Sequence, residues 1–356
     1  MSKRSAEISS QSSVKKSKSP SVPQVLLAPP KLHHANYTAA ELRAMVAENG
    51  FAVIEGVLDD ADALAYCNDL FAAYASIYDA NSGTQEPLGF DLRAPTTLDK
   101  GNTPPYKGSG MVAVDGTSGL RVLKRLALDA RVARVYERYY GVASAAELAK
   151  SNDRWGVMLP NKTRTELEPH LDANVLHAER AQQEDVLQGF VVLQAGCKPD
   201  QGLTLYPGHH NDIGKWRDES AIERDYFPIP EHRRAELGRG VVINAPRGSM
   251  VVWRSTVPHG NTSGAGAKTV CGRVVAYICM YPWSRMSDAA KDALERAIVE
   301  HTTLSHTLLR PTAQKTGAVR YGPKLKWRYG AAHLVDYKSV QDLPPGLRRP
   351  PTNISI

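Results

Sequence analysis

The stretch Glu168-Pro169-His170-Leu171-Asp172 sets an imidazole and a carboxylate two positions apart, and Pro258-His259-Gly260, much later, supplies a second imidazole. Two imidazoles and one carboxylate take three adjacent corners of an octahedral ferrous site and leave the others for a co-substrate and dioxygen. In an extended segment alternate residues face one side, so His170 and Asp172 can share a pocket. His259 follows Asp172 by 87 positions, enough chain for the intervening strands of a double sheet. Arg273 comes 14 residues after His259, at the head of an apolar run. A guanidinium grips a carboxylate through two parallel hydrogen bonds, which an ammonium cannot do. Taken without the other two residues, His170 and Asp172 read equally well as a structural hydrogen bond.

Working outward, the chain has 356 residues, 42% hydrophobic and 23% charged, the composition of an ordinary soluble globular protein. No apolar run approaches the ~20 residues that span a bilayer, and no apolar segment at the N-terminus reads as a secretory signal, so no membrane partner is expected. Cys67, Cys197, Cys271 and Cys279 form no CxxC pair and read as reduced thiols of an intracellular protein. The formal charge of +7 sits at the ends: residues 1–20 carry +4 and residues 315–349 carry +6, leaving the middle at about −3. Residues 1–30, rich in Ser, Lys and Pro, read as a disordered tail. Its Lys3-Arg4 and Lys15-Lys16-Ser17-Lys18 clusters fit either a nuclear import signal or nucleic-acid tether, or a solvating tail, so cytoplasm and nucleus are both open.

Thr38-Ala39-Ala40-Glu41 is a capping box opening a helix that Gly50 closes, and Phe51 to Gly56 reads as a strand. Asp59 or Asp60 caps a second helix to about Tyr78, with Leu64, Leu70 and Phe71 on its apolar face. Residues 80–118 are loop-like, and Tyr106 and Lys107 within them are candidate substrate contacts. Asp129 caps a helix ending at Gly141, and Ser144-Ala145-Ala146-Glu147 is a second capping box. From Trp155 short β-rich runs alternate with turns: Trp155–Leu159, Gly189–Leu193, Leu203–Tyr206, Val241–Ile243, Met250–Trp253 and Val274–Tyr281. That pattern predicts a sandwich or barrel. Ser287 opens a helix to about His301, and a basic, irregular extension follows. The expected organisation is the tail at 1–30 and one domain over 31–285, helical to about 150 with its β core at about 154–283. A C-terminal part covers 286–356.

Over residues 48 to 283 the chain resembles the phytanoyl-CoA dioxygenase family of the iron(II)- and 2-oxoglutarate-dependent oxygenases. The resemblance rests on Gly50 to Leu58, Pro169-His170-Leu171-Asp172, Gln188-Gly189-Phe190-Val191 and Gly202 to His210. It continues through Gly248 to Trp253, Pro258-His259-Gly260-Asn261 and Arg273. It departs at Gly248-Ser249, where the family has glycine–aspartate, and at Pro207-Gly208-His209-His210, where it has Pro-Gly-Ser-His. The resemblance implies an α+β protein with a mainly β core, a double-stranded β-helix (jelly roll) with flanking helices. It implies His170, Asp172 and His259 as iron ligands and Arg273 on the 5-carboxylate of 2-oxoglutarate, with Gln188 lining the same pocket. The implied reaction consumes O2 and 2-oxoglutarate, releases succinate and CO2, and hydroxylates a C–H bond, with ascorbate as reductant. Asp172 argues against halogenation, which needs that corner for halide.

Other residues have plainer readings. His209 and His210 fit a turn or outer contact, His177 an exposed loop, and Trp155 and Trp253 the core. Arg164 and Arg254 fit either solvated charges or contacts to an anionic substrate. A small-molecule substrate is expected; the basic tail keeps a nucleic-acid or protein substrate open, and a non-catalytic jelly-roll binding protein is the third reading.

Overall fold

Local chemistry starts most of the helices. Thr38 and Glu41 form the reciprocal capping box ahead of α1 (Ala39–Asn49), and Gly50, with φ of 83°, closes it. Asp59 caps α2 (Asp60–Ala75), Asp129 caps α4 (Ala130–Tyr140) and Ser287 caps α6 (Asp288–Val299), each accepting a backbone N–H. The short helices α3 (Arg121–Ala127) and α5 (Ala178–Glu184) have no side-chain cap. The computed structural model describes residues 31–94, 110–112, 114–158, 167–195, 202–262, 273–311, 313 and 327–350. The N-terminal tail, Tyr106, Lys107, Arg164, Cys197 and Cys271 lie outside the described residues.

The strands run in chain order β1 (Lys31–His33), β2 (Phe51–Glu55), β3 (Tyr78–Asp79), β4 (Leu148–Lys150), β5 (Trp155–Val157), β6 (Leu167–Leu171), β7 (Leu187–Gln194) and β8 (Gly202–Leu205). They continue with β9 (Phe227–Pro228), β10 (Val241–Ile243), β11 (Met250–Arg254), β12 (His259–Thr262), β13 (Val274–Tyr277), β14 (Met280–Pro282) and β15 (Trp327–Arg328). Six form one sheet in the order β1-β2-β11-β7-β13-β5, antiparallel except for β1 on β2. Five form a second, antiparallel sheet, β10-β8-β12-β6-β9. From β5 to β8, and again from β10 to β13, each successive strand changes sheet.

Side-chain alternation with period two sorts the larger sheet into two faces. Phe51, Val53, Phe190, Val192, Val251, Trp253 and Val275 join Leu203, Leu205, Val241 and Ile243 of the smaller sheet in an inner core. Ala52, Ile54, Leu187, Val191, Met250, Val252, Val274 and Ala276 face outward, onto the buried sides of α1, α2 and α4. The two sheets are therefore packed face to face, with helices covering the outer surface of one of them.

Three expectations change. The second helix stops at Ala75, and Leu64 is 41% exposed, because its buried side runs through Ala63, Tyr66, Cys67, Leu70 and Tyr74. The expected strand Val274–Tyr281 is two strands, β13 and β14, in different sheets. The segment of His170 and that of His259 are themselves strands, paired with each other.

Behind the larger sheet the C-terminal helix docks on a buried polar network. Asn152 Nδ2 donates to Ala297 O at 2.8 Å and Thr302 O at 2.7 Å, and Lys124 Nζ donates to Asn152 Oδ1. Burial, opposed by the charge of Asp153, pushes the Lys124 ammonium down to about 7. The unfolded chain holds this proton up to about pH 10.4, so between the two values it binds more protons than the folded chain, and stability rises with pH. We expect urea unfolding of the wild type to gain on the order of 3 kcal/mol from pH 7 to pH 10 relative to Lys124→Met. Parallel pH profiles for the two proteins would contradict this reading.

Candidate metal centre

β12 lies between β6 and β8, and its register sets His259 directly opposite His170. The two imidazole rings stand 4.2 Å apart, centroid to centroid. Asp172 follows β6 by one residue, and its N–H donates to Ser255 O at 3.1 Å, which ties the carboxylate to the turn before β12. His170 Nε2 lies 3.8 Å from Asp172 Oδ1, and His259 Nε2 lies 3.6 Å from Asp172 Oδ2. The ligating atoms of these three residues all lie within 4.8 Å of one another.

Each imidazole is oriented from behind. His170 Nδ1 lies 2.9 Å from Glu168 O, and His259 Nδ1 lies 2.9 Å from Val257 O. A carbonyl only accepts, so in each ring Nδ1 carries a hydrogen, and Nε2, the nitrogen turned toward Asp172, is the one placed to ligate. Such outer contacts fix the tautomer and direction of a metal-binding histidine. Burial, joined by His259 and opposed by Asp172, pushes His170 down to about 4. Burial would raise Asp172, but its contact with His259 and the neighbouring imidazoles outweigh that and hold it well below the carboxylate range. Neutral His170 beside ionised Asp172 is the protonation state that a divalent cation needs.

Close approach of backbones makes the centre possible. A Cβ on Gly260 would come within 2.3 Å of Leu167 O, so any side chain there would push β12 off β6 and part the two histidines.

Gln188, fully buried on the inner side of β7, donates from Nε2 to Asp172 Oδ2 at 3.0 Å. Arg273 precedes β13 on the same inner parity as Val275 and is itself buried. Its guanidinium lies 5.2 Å from the centre of the Phe190 ring, and Nη2 reaches Asn261 Oδ1 only at 3.5 Å. Phe190 contacts Trp253 at 5.6 Å, and Trp253 contacts His259 at 5.6 Å, which links the arginine to the triad through two rings. Gly202 faces this guanidinium: at φ of 146°, a Cβ there would meet Ile243 O at 2.9 Å and Arg273 Nη1 at 3.2 Å. Gln188 Oε1, Trp253 Nε1, Arg273 Nε and Arg273 Nη1 are buried without a hydrogen-bond partner among the described residues. Orphaned polar atoms of this kind mark the place of a polar ligand or water.

The remaining candidates fall elsewhere. His210 is buried against Ala47 O, His209 lies between Leu237 O and Lys215, and His177 is an exposed partner of Glu223. Arg254 lies on the outward parity of β11, where it donates to Gln182 O at 2.8 Å and pairs with Asp185; it is neither solvated nor turned to the triad. Trp155 is core, as expected, whereas Trp253 is both core and neighbour of a candidate ligand. Two aromatic residues were missed. Tyr226, 38% exposed, stands 5.0 Å from the His170 ring, and Tyr277 stands 5.9 Å from Phe190 on the inner side of β13. Tyr277 carries a readable signal, its odd parity with Arg273 and Val275; Tyr226, in an irregular segment, carries none.

No family model matches the chain, and no curated protein matches it. Solved structures do. Hypothetical protein JW0805 of Escherichia coli aligns with 82% of this chain and 83% of its own at a TM-score of 0.55 and 13% identity. A protein of Salmonella typhimurium LT2 described provisionally as an oxidoreductase aligns over 82% of this chain and 84% of its own, with a TM-score of 0.50 and 15% identity. The epimerase SnoN, solved with Fe3+, alpha ketoglutarate and nogalamycin RO, scores 0.45 at 16% identity over 81% of this chain and 98% of its own, too slight a likeness to carry weight. At these identities the likeness is one of fold. No helix among the described residues is long and apolar enough to cross a membrane.

Proposed function

We propose that this protein is an iron(II)- and 2-oxoglutarate-dependent oxygenase with a double-stranded β-helix core, akin to the phytanoyl-CoA dioxygenases, and that it hydroxylates a small organic molecule. One observation carries the reading. Two imidazole Nε2 atoms and a carboxylate converge from paired strands, and a buried arginine without a carboxylate partner among the described residues sits on the inner face of the same sandwich. The strand crossings between sheets support the β-helix core.

The donor set fits ferrous iron, being two neutral nitrogens and one anionic oxygen on one side of the ion. When bound, iron and 2-oxoglutarate supply a two-electron oxidant from O2, with release of succinate and CO2. His170, Asp172 and His259 would hold the ion, with Glu168 O and Val257 O keeping both rings aimed. Gln188 would steady Asp172 so that its carboxylate does not swing. Arg273 would take the distal carboxylate of the co-substrate by two charge-assisted bonds. Phe190 and Trp253 would exclude water around it. Tyr226, at the edge of the triad, would meet the substrate.

The test is succinate release by the purified full chain with Fe(II), ascorbate, O2 and 2-oxoglutarate, beside anaerobic calorimetry of 2-oxoglutarate binding with Mn(II). Slow release without added substrate, lost in His170→Ala, is expected. Absence of both turnover and metal-dependent 2-oxoglutarate binding would leave a non-catalytic binding protein instead.

A further inference from the structure

A second cluster of metal-binding side chains lies outside the triad. Asp153, Cys279 and His306 place a carboxylate oxygen, a thiol sulfur and an imidazole nitrogen within 4.8 Å of one another. We propose that these three residues form a zinc site that clips the C-terminal segment around His306 to the two-sheet core.

The three come from separate parts of the chain, yet backbone bonds stitch their segments together. Ser151 N–H donates to Cys279 O at 2.8 Å, and Cys279 N–H donates to Ser151 Oγ at 3.0 Å. Tyr277 N–H donates to Arg154 O at 3.0 Å. Leu304 N–H donates to Asn152 O at 2.9 Å, and Arg154 Nη2 donates to Leu304 O at 3.1 Å. The segments that carry the three side chains are thus held together by bonds that need no ion.

The Asp153 carboxylate is divided between two neighbours. Arg154 Nε approaches Oδ1 at 3.3 Å, while Oδ2 is turned to His306 Nδ1. An outer cation that fixes one oxygen and leaves the other for an ion is the usual support of a carboxylate ligand. Asp153 and Cys279 are buried, and the His306 side chain, 18% exposed, is the member of the cluster nearest the surface. Ligand atoms on a tetrahedral zinc stand about 3.3–3.8 Å apart, given bonds of about 2.0 to 2.3 Å. Asp153 and His306, now in direct hydrogen bond, would separate slightly to admit the ion.

The ligand types select zinc. Sulfur, nitrogen and oxygen together suit a borderline ion without redox chemistry, whereas the sulfur-free triad suits ferrous iron. Entry of a dication expels the thiol proton, so binding at this cluster should weaken as pH falls. The site also bears on the pocket. The His306 ring lies 5.0 Å from Tyr277 and 37° from its plane, and Tyr277 packs on Phe190 beside Arg273. An ion at His306 would therefore fix one wall of the inner cavity from behind.

Cobalt(II) tests this without any activity. Titrating the metal-free full chain with Co(II) should develop a thiolate-to-cobalt charge-transfer band that Zn(II), added in excess of both metal sites, abolishes. His170, Asp172 and His259 contain no sulfur, so they cannot produce it. The band should persist in His170→Ala and Cys67→Ser and vanish in Cys279→Ser. His306→Gln, a second variant should Cys279→Ser fold poorly, should weaken Co(II) binding at this band by more than about 100-fold, beyond the range of residues that only orient ligands. Wild-type protein that shows no such band at saturating Co(II), or a band that survives in Cys279→Ser, would overturn the site.

Discussion

Arg273→Gln should bind Mn(II) or Fe(II) as tightly as the wild type but need about 100-fold more 2-oxoglutarate for half-saturation. The guanidinium is buried, its Nε and Nη1 have no partner among the described residues, and its remaining contact with Asn261 is at the limit of a hydrogen bond. Two charge-assisted bonds to a carboxylate contribute about 1.5 kcal/mol or more each, and 1.4 kcal/mol is a factor of ten. Lysine is no substitute, since an ammonium cannot make the parallel pair. The same reasoning gives a second readout that does not involve turnover. An unpaired buried cation destabilises the ligand-free fold, and burial indeed pushes the Arg273 guanidinium down. Ligand-free Arg273→Gln should therefore melt higher than ligand-free wild type; Mn(II) should stabilise both, and 2-oxoglutarate added to the Mn(II)-loaded proteins near the wild type's half-saturation should raise the melting point of the wild type and leave that of the variant unchanged. If Arg273→Gln binds 2-oxoglutarate with unchanged affinity, the arginine is not the clamp and the co-substrate reading loses its main support.

The legible parts of the fold were those with local or periodic chemistry. Thr38 with Glu41, Asp59, Asp129 and Ser287 bond to amides within three residues, so a short window contains the whole argument. The strands of the inner core were legible because both of their faces are apolar and β-branched. β6 and β12 were not read as strands, since the residues that give them their purpose, His170, His259, Asn261 and Glu168, erase the hydrophobic alternation. α3 escaped notice for a different reason: Leu120 caps it without a side-chain bond, and its stability comes from burial of Val122, Leu123 and Leu126. Within the site, His170, Asp172, His259 and Arg273 were named from residue type and order and Gln188 from the family resemblance, and the pairing of β6 with β12 is what brings the first three together. Tyr226 against His170 of β6, and Asp153 with His306, are contacts made by irregular segments to residues far away in the chain. No period or motif announces such contacts. Arg254 shows the converse: it is close to His259 in sequence, yet strand parity turns it away from the triad, onto Gln182 O and Asp185.

Asp172→Ala and Gln188→Leu should separate a ligand from its support. Asp172 supplies the one negative charge of the triad, and removing it leaves two imidazoles, Gln188 Nε2 without its acceptor and a cavity where a cation would lie. We expect Asp172→Ala to weaken Fe(II) or Mn(II) binding by more than about 1000-fold and to abolish succinate release. That is well beyond the 10–100-fold typical of residues that only orient ligands. Gln188 touches the carboxylate and neither imidazole, so Gln188→Leu should lie within that smaller range and keep measurable turnover. Both are read by anaerobic equilibrium dialysis against Mn(II), where no oxidation intrudes. The contrast carries the argument, because a collapse of the pocket would weaken both variants alike. Equal losses in the two, or full metal affinity without Asp172, would mean that the ion is held elsewhere. In that event the band of a cobalt-loaded protein would show whether the Cys279 cluster is the place.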